Sequence, residues 1–180
     1  MAIRPILTAP DPRLKVKSRP VARVDDEIRR LMDDMLDTMY VAPGIGLAAP
    51  QVGVPKRVIV VDLAKEGEKP QPYRMANPEL LWVSDEMMIA EEGCLSVPEH
   101  YAEVPRPRAI RVRYLDYDNE IRELEAEGLL ATCIQHEIDH LDGILFIDHL
   151  TALRRNIILR KLRKQKRSEV RERAKVAAEG

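Results

Sequence analysis

The first long stretch of regular hydrophobic spacing lies between residues 25 and 39. Its apolar side chains recur every three or four positions, as in a helix that buries one face. They are Ile28, Leu31, Met32, Met35, Leu36 and Met39. Asp25 or Asp26 stands at the start of the run, where a carboxylate can accept the free backbone N–H groups of a first turn. The pattern predicts an N-terminal helix, preceded over residues 1–24 by an extended, proline-bearing arm packed on the body.

The pattern in the middle of the chain predicts short strands separated by turns. Residues 57–63 are almost continuously apolar, as in a buried strand, and 79–84 and 86–90 are further strand segments. Residues 109–115 alternate apolar and polar positions, and after a turn of Asp and Asn residues the chain returns over 120–126, which predicts a hairpin. Residues 98–107 are rich in proline and predict an extended loop.

Helical spacing returns over residues 128–142 and contains the motif His-Glu-x-x-His. On a helix His136 and His140 lie one above the other, about 6 Å apart along the axis, so both rings can converge on one metal ion. Glu137 can act as a general base on water beside the metal without occupying a coordination position. Gly143 ends the helix.

The two faces of this helix have different expected surroundings. The face that carries the histidines also carries Leu129, Thr132 and Cys133, which should line a pocket beside the metal. Apolar residues further round the helix should pack into the core, and these are Ile134, Ile138 and Leu141. The helix is therefore expected to be central to the fold.

The last helical segment, residues 151–178, is strongly basic. Residues 151–180 contain eleven Lys and Arg against three Glu, whereas the whole chain has a net charge of −1. Such a surface can contact a phosphate backbone, but the segment has no aromatic residue for stacking on single-stranded bases. Its expected anchors on the body are Leu153, Ile157, Ile158 and Leu162.

Composition narrows the class of protein. With 180 residues, 45% hydrophobic and 33% charged, the chain is typical of one globular domain. It has no run of eighteen apolar residues, and its N-terminal stretch lacks the apolar core of a signal peptide, so we expect a cytoplasmic protein with no membrane partner. The predicted fold class is α+β, with antiparallel or mixed sheets around a central metal-binding helix, an N-terminal helix and a C-terminal amphipathic helix.

The third metal ligand is not supplied by the usual protease patterns. One family continues to a third histidine, but that position is Phe146. Others use a glutamate about twenty residues further on, and residues 151–168 contain neither Asp nor Glu. His149 remains an alternative past the end of the helix. Cys94 is the best candidate, because no strand or helix periodicity explains its place after Gly93 and a two-histidine site needs another ligand.

Three segments in this order resemble the signature motifs of the peptide deformylases. They are Gly44-Ile-Gly-Leu-Ala-Ala-Pro-Gln51, Glu92-Gly-Cys-Leu-Ser96 and Gln135-His-Glu-Ile-Asp-His-Leu-Asp-Gly143, within a resemblance that spans roughly residues 1–165. The resemblance implies an enzyme that removes the formyl group from the N-terminal formylmethionine of new bacterial polypeptides. It also implies one divalent metal ion, commonly Fe(II) in the cell and replaceable by Ni(II), Co(II) or Zn(II).

The resemblance also assigns roles to residues of this chain. It implies that the metal ligands are Cys94, His136 and His140, and that the catalytic groups are Glu137, the side-chain amide of Gln51 and the backbone N–H of Leu95. It implies that the substrate peptide is bound by Ile45, Gly46, Leu129, Thr132 and Cys133. Residues 1–150 would form the catalytic domain and residues 151–180 a basic helical extension of it.

Two alternatives to a deformylase would act on different molecules. A His-Glu-x-x-His metallopeptidase would cut internal amide bonds, and its missing third ligand argues against it. A ribosome- or RNA-binding module with a structural metal would not need Gln51, Leu95 and Glu137. Resemblance suggests that the deformylase and ribosome ideas coexist, with formylmethionyl nascent peptides as substrate and the basic helix as a ribosome contact. No specific DNA partner is expected.

Overall fold

A central helix, α2, is covered by an antiparallel sheet on one side and approached by a separate strand ribbon. The computed structural model describes residues 2–180. Its three helices and two antiparallel sheets confirm the predicted α+β class. The helices are α1 (Asp26–Val41), α2 (Gly128–Leu141) and α3 (Ala152–Glu179), and the strands are β1 (Gly46–Ala48), β2 (Val58–Val61), β3 (Tyr73–Val83), β4 (Met87–Cys94), β5 (Val97–Pro107), β6 (Ala109–Leu115) and β7 (Ile121–Glu127).

The larger sheet has the strand order β1-β2-β3-β6-β7, and all of its neighbouring strands are antiparallel. All four residues of β2 are buried, as its continuous apolar run predicts. The hairpin predicted over 109–126 is β6–β7. The strand predicted over 79–84 is the second half of a longer strand, β3. This sheet carries the core against which two helices pack.

Both predicted amphipathic helices bury the expected faces. Helix α1 begins after Asp25, whose side chain accepts the backbone N–H of Ile28 at 3.0 Å. All six of its predicted apolar positions are buried. In α2 the residues Ile134, Ile138 and Leu141 join a core cluster with residues of the larger sheet. The sheet therefore holds α2 from the side opposite its histidines.

The proline-rich segment is a strand and not the predicted loop. Strand β5 pairs with β4 in a two-stranded ribbon, with Pro105 opposite Ile89. The backbone N–H of Arg108 donates to Glu86 at 2.9 Å, so nitrogen atoms at odd positions just before it face away from β4. Pro105 and Pro107 therefore lack an N–H on the side where β5 has no partner strand, and neither proline removes a hydrogen bond of the ladder.

The basic helix α3 is attached to the body near its start. Among its residues Leu162 is buried, and Ile158 and Leu159 pack against the same core cluster. Leu153 and Ile157 are exposed, so the prediction that they anchor the helix is wrong: the rotation set by Leu162 turns both away from the body. Within residues 2–180, no helix combines the length and apolarity that a membrane crossing requires.

The N-terminal arm reaches the segments that surround the ends of β1 and β4. The backbone N–H of Leu7 donates to the carbonyl of Gln51 at 2.7 Å, and that of Ala9 donates to Ser96 at 2.8 Å. Ser18 is similarly bonded to the end of α2. The arm is thus packed on the body, as predicted, and it holds two loops that belong to the site described next.

Candidate metal centre and substrate cleft

Three donor atoms converge where the tip of the β4–β5 ribbon meets α2. One ligand atom each from Cys94, His136 and His140 lies within 4.8 Å of the other two. The Sγ of Cys94 is 3.3 Å from the Nε2 of His140. Cys94 is the last residue of β4, and the turn Leu95–Ser96 reverses the chain into β5. The tip of a hairpin therefore brings the thiol to two histidines of a helix.

The ring of His136 is fixed by a carboxylate. Its Nδ1 lies 2.8 Å from Oε1 of Glu92. Because a carboxylate only accepts, Nδ1 carries a proton, which leaves Nε2 as the ring nitrogen that can bind a metal. Glu92 is in turn held by Arg106, whose Nε and Nη2 lie 2.7 and 3.0 Å from its two oxygens.

The pKa values of the two histidines are shifted in opposite directions. Burial lowers the pKa of His140 well below its ordinary value, and the charge of His136 lowers it further. The low pKa favours the neutral imidazole, which is the form that binds metals. For His136 burial also acts to lower the pKa, but hydrogen bonds with Cys94 and Glu92 outweigh it and raise the pKa well above the ordinary value. A metal ion at Nε2 of His136 would therefore displace a proton.

Glu137 is a buried carboxyl group at the same place. Burial raises its pKa to about 7. Among the described residues its Oε2 meets no hydrogen-bond partner. A Cβ on Gly46 would lie 2.6 Å from Oε1 of Glu137 and 3.0 Å from Sγ of Cys133, so only glycine lets β1 approach this closely. Strand β1 thus lies directly against the carboxyl group of Glu137.

Gln51 directs its amide toward the thiol. Its Oε1 accepts the N–H of Ala48 at 2.9 Å, which fixes the amide orientation. Its Nε2 then donates to Oγ of Ser96 at 3.0 Å and lies 3.5 Å from Sγ of Cys94. With Oε1 engaged, the N–H groups of Gln51 are the ones that face the cleft and the donor set.

A cleft of about 680 Å³ opens beside the donors. Of the residues predicted for the site, those that line it are Ile45, Gly46, Gln51, Cys94, Leu95, Leu129, Thr132, Cys133, His136 and Glu137. The remaining one, His140, is only 1% exposed. Where α2 borders the cleft, Leu129 and Cys133 contribute an apolar group and a sulfur beside the polar residues of the same helix. Ile45 and Gly46 border the cleft at the edge strand β1, and a cleft of this size beside a strand edge can take an extended peptide.

The structure separates His149 from the three donors. Its Nε2 lies 2.8 Å from Oδ2 of Asp139, and the three-atom cluster includes Cys94 instead. The alternative third ligand is therefore wrong, because His149 follows the end of α2 and turns away from its histidine face.

Sequence reasoning missed the residues that support the ligands. Glu92 could have been found, since it lies two residues before Cys94 and so shares its side of a strand. Arg106 carries no local signal, because its partnership with Glu92 depends on the ribbon pairing. Ser96 and Asp139 lie inside the quoted motifs, but only the structure gives their partners.

The donor set fits a single divalent metal ion. A thiol and two imidazoles within 4.8 Å suit Fe(II), Zn(II), Ni(II) or Co(II), and three protein ligands leave a position for water or substrate. A buried carboxyl oxygen without a protein partner, that of Glu137, lies beside them. A closed structural site would instead have a fourth protein ligand.

Fold and site together define the class of protein, a His-Glu-x-x-His metalloenzyme with an open substrate cleft. The chain belongs to the peptide deformylase family, since the family model described as polypeptide deformylase matches residues 3–156. It is 63% identical over 164 residues to a peptide deformylase of Phenylobacterium zucineum, covering 91% of this chain and 97% of that one. It is 57% identical to a peptide deformylase of Methylocella silvestris, covering 96% and 89%.

Solved structures that are similar to this chain belong to the same family. A peptide deformylase of Ehrlichia chaffeensis has a TM-score of 0.89 at 40% identity, covering 94% of this chain and 99% of that one. The same enzyme in complex with actinonin gives a TM-score of 0.88 at 43% identity, covering 93% and 99%. These findings confirm the predicted fold class and family, and they support a deformylase and not the metallopeptidase alternative.

Proposed function

We propose that this chain removes the formyl group from the N-terminal formylmethionine of newly made polypeptides and releases formate. The observation that carries the proposal is the convergence of Cys94, His136 and His140 beside the buried carboxyl group of Glu137, at the edge of a peptide-sized cleft. Family membership supplies the reaction, and this convergence supplies the groups that hydrolysis of a small amide needs.

The proposed ligands are Cys94, His136 and His140. A divalent ion held there supplies Lewis acidity and lowers the pKa of a water molecule. Glu137 accepts the proton from the attacking water and passes it to the departing amine. Its carboxylate must be ionised to do this, and a cation close by lowers the pKa that burial raises.

Charge that develops on the formyl oxygen needs hydrogen-bond donors. We assign this role to the side-chain amide of Gln51 and the backbone N–H of Leu95. The amide of Gln51 is oriented by the N–H of Ala48, and Leu95 follows Cys94 directly in the sequence; both observations support this assignment. Loss of one such donor should raise the barrier by about 3 kcal/mol.

The substrate peptide is bound along β1 and α2 in this proposal. Gly46, in the edge strand β1, pairs through its main chain with the extended peptide as an added strand. Ile45 lines the cleft beside it, and its carbonyl already accepts the N–H of Asp62 at 2.9 Å. The methionine side chain enters the end of the cleft bounded by Leu129, Thr132 and Cys133. Cys133 and Thr132 are buried, whereas Leu129 is 55% exposed and forms the rim of this pocket.

We infer that the metal is Fe(II) in the cell and that Zn(II), Ni(II) or Co(II) replaces it in purified protein, because thiolate and imidazole ligands accept all four. The reaction would take place in the cytoplasm as polypeptides emerge. Residues 1–150 form the catalytic domain in this proposal, and residues 151–180 extend it as a basic helix that contacts the ribosome.

The ribosome contact can be tested without disturbing the anchor of α3. Arg171, Arg173 and Lys175 lie beyond Leu162 and are exposed. Replacing all three with Gln should weaken salt-sensitive co-sedimentation with ribosomes and leave hydrolysis of a short formyl peptide unchanged. As a control, three Arg of the catalytic body, Arg111, Arg113 and Arg122, are replaced with Gln. Equal loss of ribosome binding in both variants would contradict the role of α3.

The reaction itself is tested with protein purified anaerobically and loaded with Fe(II) or Ni(II). Formyl-Met-Ala-Ser should yield formate and a free amine, whereas acetyl-Met-Ala-Ser should react far more slowly. Cleavage of an internal peptide bond in either substrate, or no formate from the formyl peptide, would contradict the proposal.

A further inference from the structure

A chain of polar contacts connects the surface residue His149 to His136. The Nε2–H of His149 donates to Oδ2 of Asp139 at 2.8 Å. The same oxygen accepts Nη1 of Arg106 at 2.9 Å. On its other side Arg106 binds both oxygens of Glu92, and Oε1 of Glu92 accepts the Nδ1–H of His136 at 2.8 Å. Every link is within ordinary hydrogen-bond distance.

The inner part of this chain of contacts is buried. The side chains of Arg106 and Glu92 are each 5% exposed, so their two parallel hydrogen bonds are shielded from water. Exposure then rises outward, to 21% for the side chain of Asp139 and 35% for that of His149. His149 is therefore the residue that holds the outer end in place where it meets solvent.

The segment that carries His149 also contacts His136 directly. A 3-10 turn over Phe146–His149 follows α2, and the ring of Phe146 stacks on the ring of His136, with centroids 6.1 Å apart and planes inclined at 24°. One short turn thus touches the same imidazole by two routes. A shift of this turn would alter both the stacking and the hydrogen bond that orient the ring.

We propose that His149 is a positioning residue for the metal site. It keeps Asp139 directed at Arg106, which keeps Glu92 on Nδ1 of His136 and so fixes the direction of Nε2. His149 touches neither substrate nor metal. The inference rests on the proposed function, because it takes Nε2 of His136 to be a metal ligand. Supporting groups of this kind tune metal affinity through the orientation of the ligand ring.

The test uses the full chain loaded with Co(II), whose visible spectrum reports ligand geometry. His149→Leu and His149→Ala both remove the N–H donor from an exposed position. Each should release Co(II) to a chelator about 3- to 10-fold faster than wild type, less than the 10- to 100-fold effect of losing a direct partner of a ligand, and should shift the visible bands. Formyl-peptide turnover should fall mainly in kcat.

Two further variants separate positioning from general destabilisation. His149→Gln keeps an N–H donor and should restore the wild-type spectrum and release rate. Asp142→Asn breaks an ion pair with Arg57 at the end of the same helix, 3.0 Å long and outside the chain of contacts, and should change neither. Wild-type Co(II) release in both His149→Leu and His149→Ala, or the same acceleration in Asp142→Asn, would overturn the inference. Failure of the proposed function looks different, since wild type itself would then bind no stoichiometric Co(II) or release no formate.

Discussion

The Sγ of Cys94 lies 3.3 Å from the Nε2 of His140, although the two residues are 46 positions apart in the chain. One is at the tip of the β4–β5 ribbon and the other is on α2, so the metal site exists only when ribbon and helix are docked. Neither element holds three donors alone. Metal binding should therefore stabilise the docked fold as well as enable catalysis.

Substitution of the thiol tests the donor set. In Cys94→Ala two imidazoles remain, and the variant should lose its metal or bind it far more weakly, because three protein ligands become two. Elemental analysis after anaerobic dialysis measures the content. The matched control is Cys133→Ala, which removes the other thiol but no donor of the cluster and should retain one metal per chain. Full metal content in Cys94→Ala would count against the site.

Glu137→Gln separates proton transfer from metal binding. The amide is nearly isosteric and lies outside the donor cluster, so metal content should stay at the wild-type level. It cannot accept a proton, and kcat should fall on the order of 10³-fold. Steady-state kinetics and elemental analysis on the same preparation check both halves. A variant that turns over at the wild-type rate would exclude Glu137 as the base.

The buried pair Arg106–Glu92 should matter far more to stability than exposed pairs. Both side chains are 5% exposed, and Arg106→Leu leaves the carboxylate of Glu92 buried without its guanidinium. Urea denaturation should show a loss of about 3–5 kcal/mol in the free energy of unfolding. Arg111→Leu removes an exposed partner of Glu125 and should cost below about 1 kcal/mol. Similar losses in the two variants would contradict the assigned burial.

Tyr40 should give the folded chain a specific dependence on alkaline pH. Tyr40 is 44% exposed as a whole, but partial desolvation and a hydrogen bond of 2.6 Å from its hydroxyl to Asp62 raise its pKa to about 12. Since this folded-state pKa is above the ordinary value of about 10, the contribution is complete below pH 10 and is lost as the pH rises to 12. Urea denaturation at several pH values should therefore show a shallower decline for Tyr40→Phe. Parallel declines would contradict this coupling.

The helices and the site motifs are predictable from sequence because their signals are local. The apolar spacing of α1 and α2 reports directly which face is buried, and the capping position of Asp25 marks a helix start. His-Glu-x-x-His needs only the pitch of one helix to bring its histidines together. Cys94 required a further argument, which was that a two-histidine site lacks a ligand.

The supporting network is not predictable in this way. Arg106 reaches Glu92 only because β5 folds back on β4, and prolines at 105 and 107 hide that strand from a propensity argument. The prediction that Leu153 and Ile157 anchor α3 is wrong for a related reason. Apolar spacing indicates one face for α3, but contact with the N-terminal arm and the turn after α2 sets which rotation is buried.

X-ray absorption at the zinc edge of the zinc-loaded protein tests the central claim most directly. The account predicts one sulfur at about 2.3 Å, two imidazole nitrogens at about 2.0–2.1 Å and one light atom from water, and it predicts that the sulfur shell disappears in Cys94→Ala. A first shell without sulfur in the wild-type protein, or a sulfur shell that persists in Cys94→Ala, would contradict a site built from Cys94, His136 and His140.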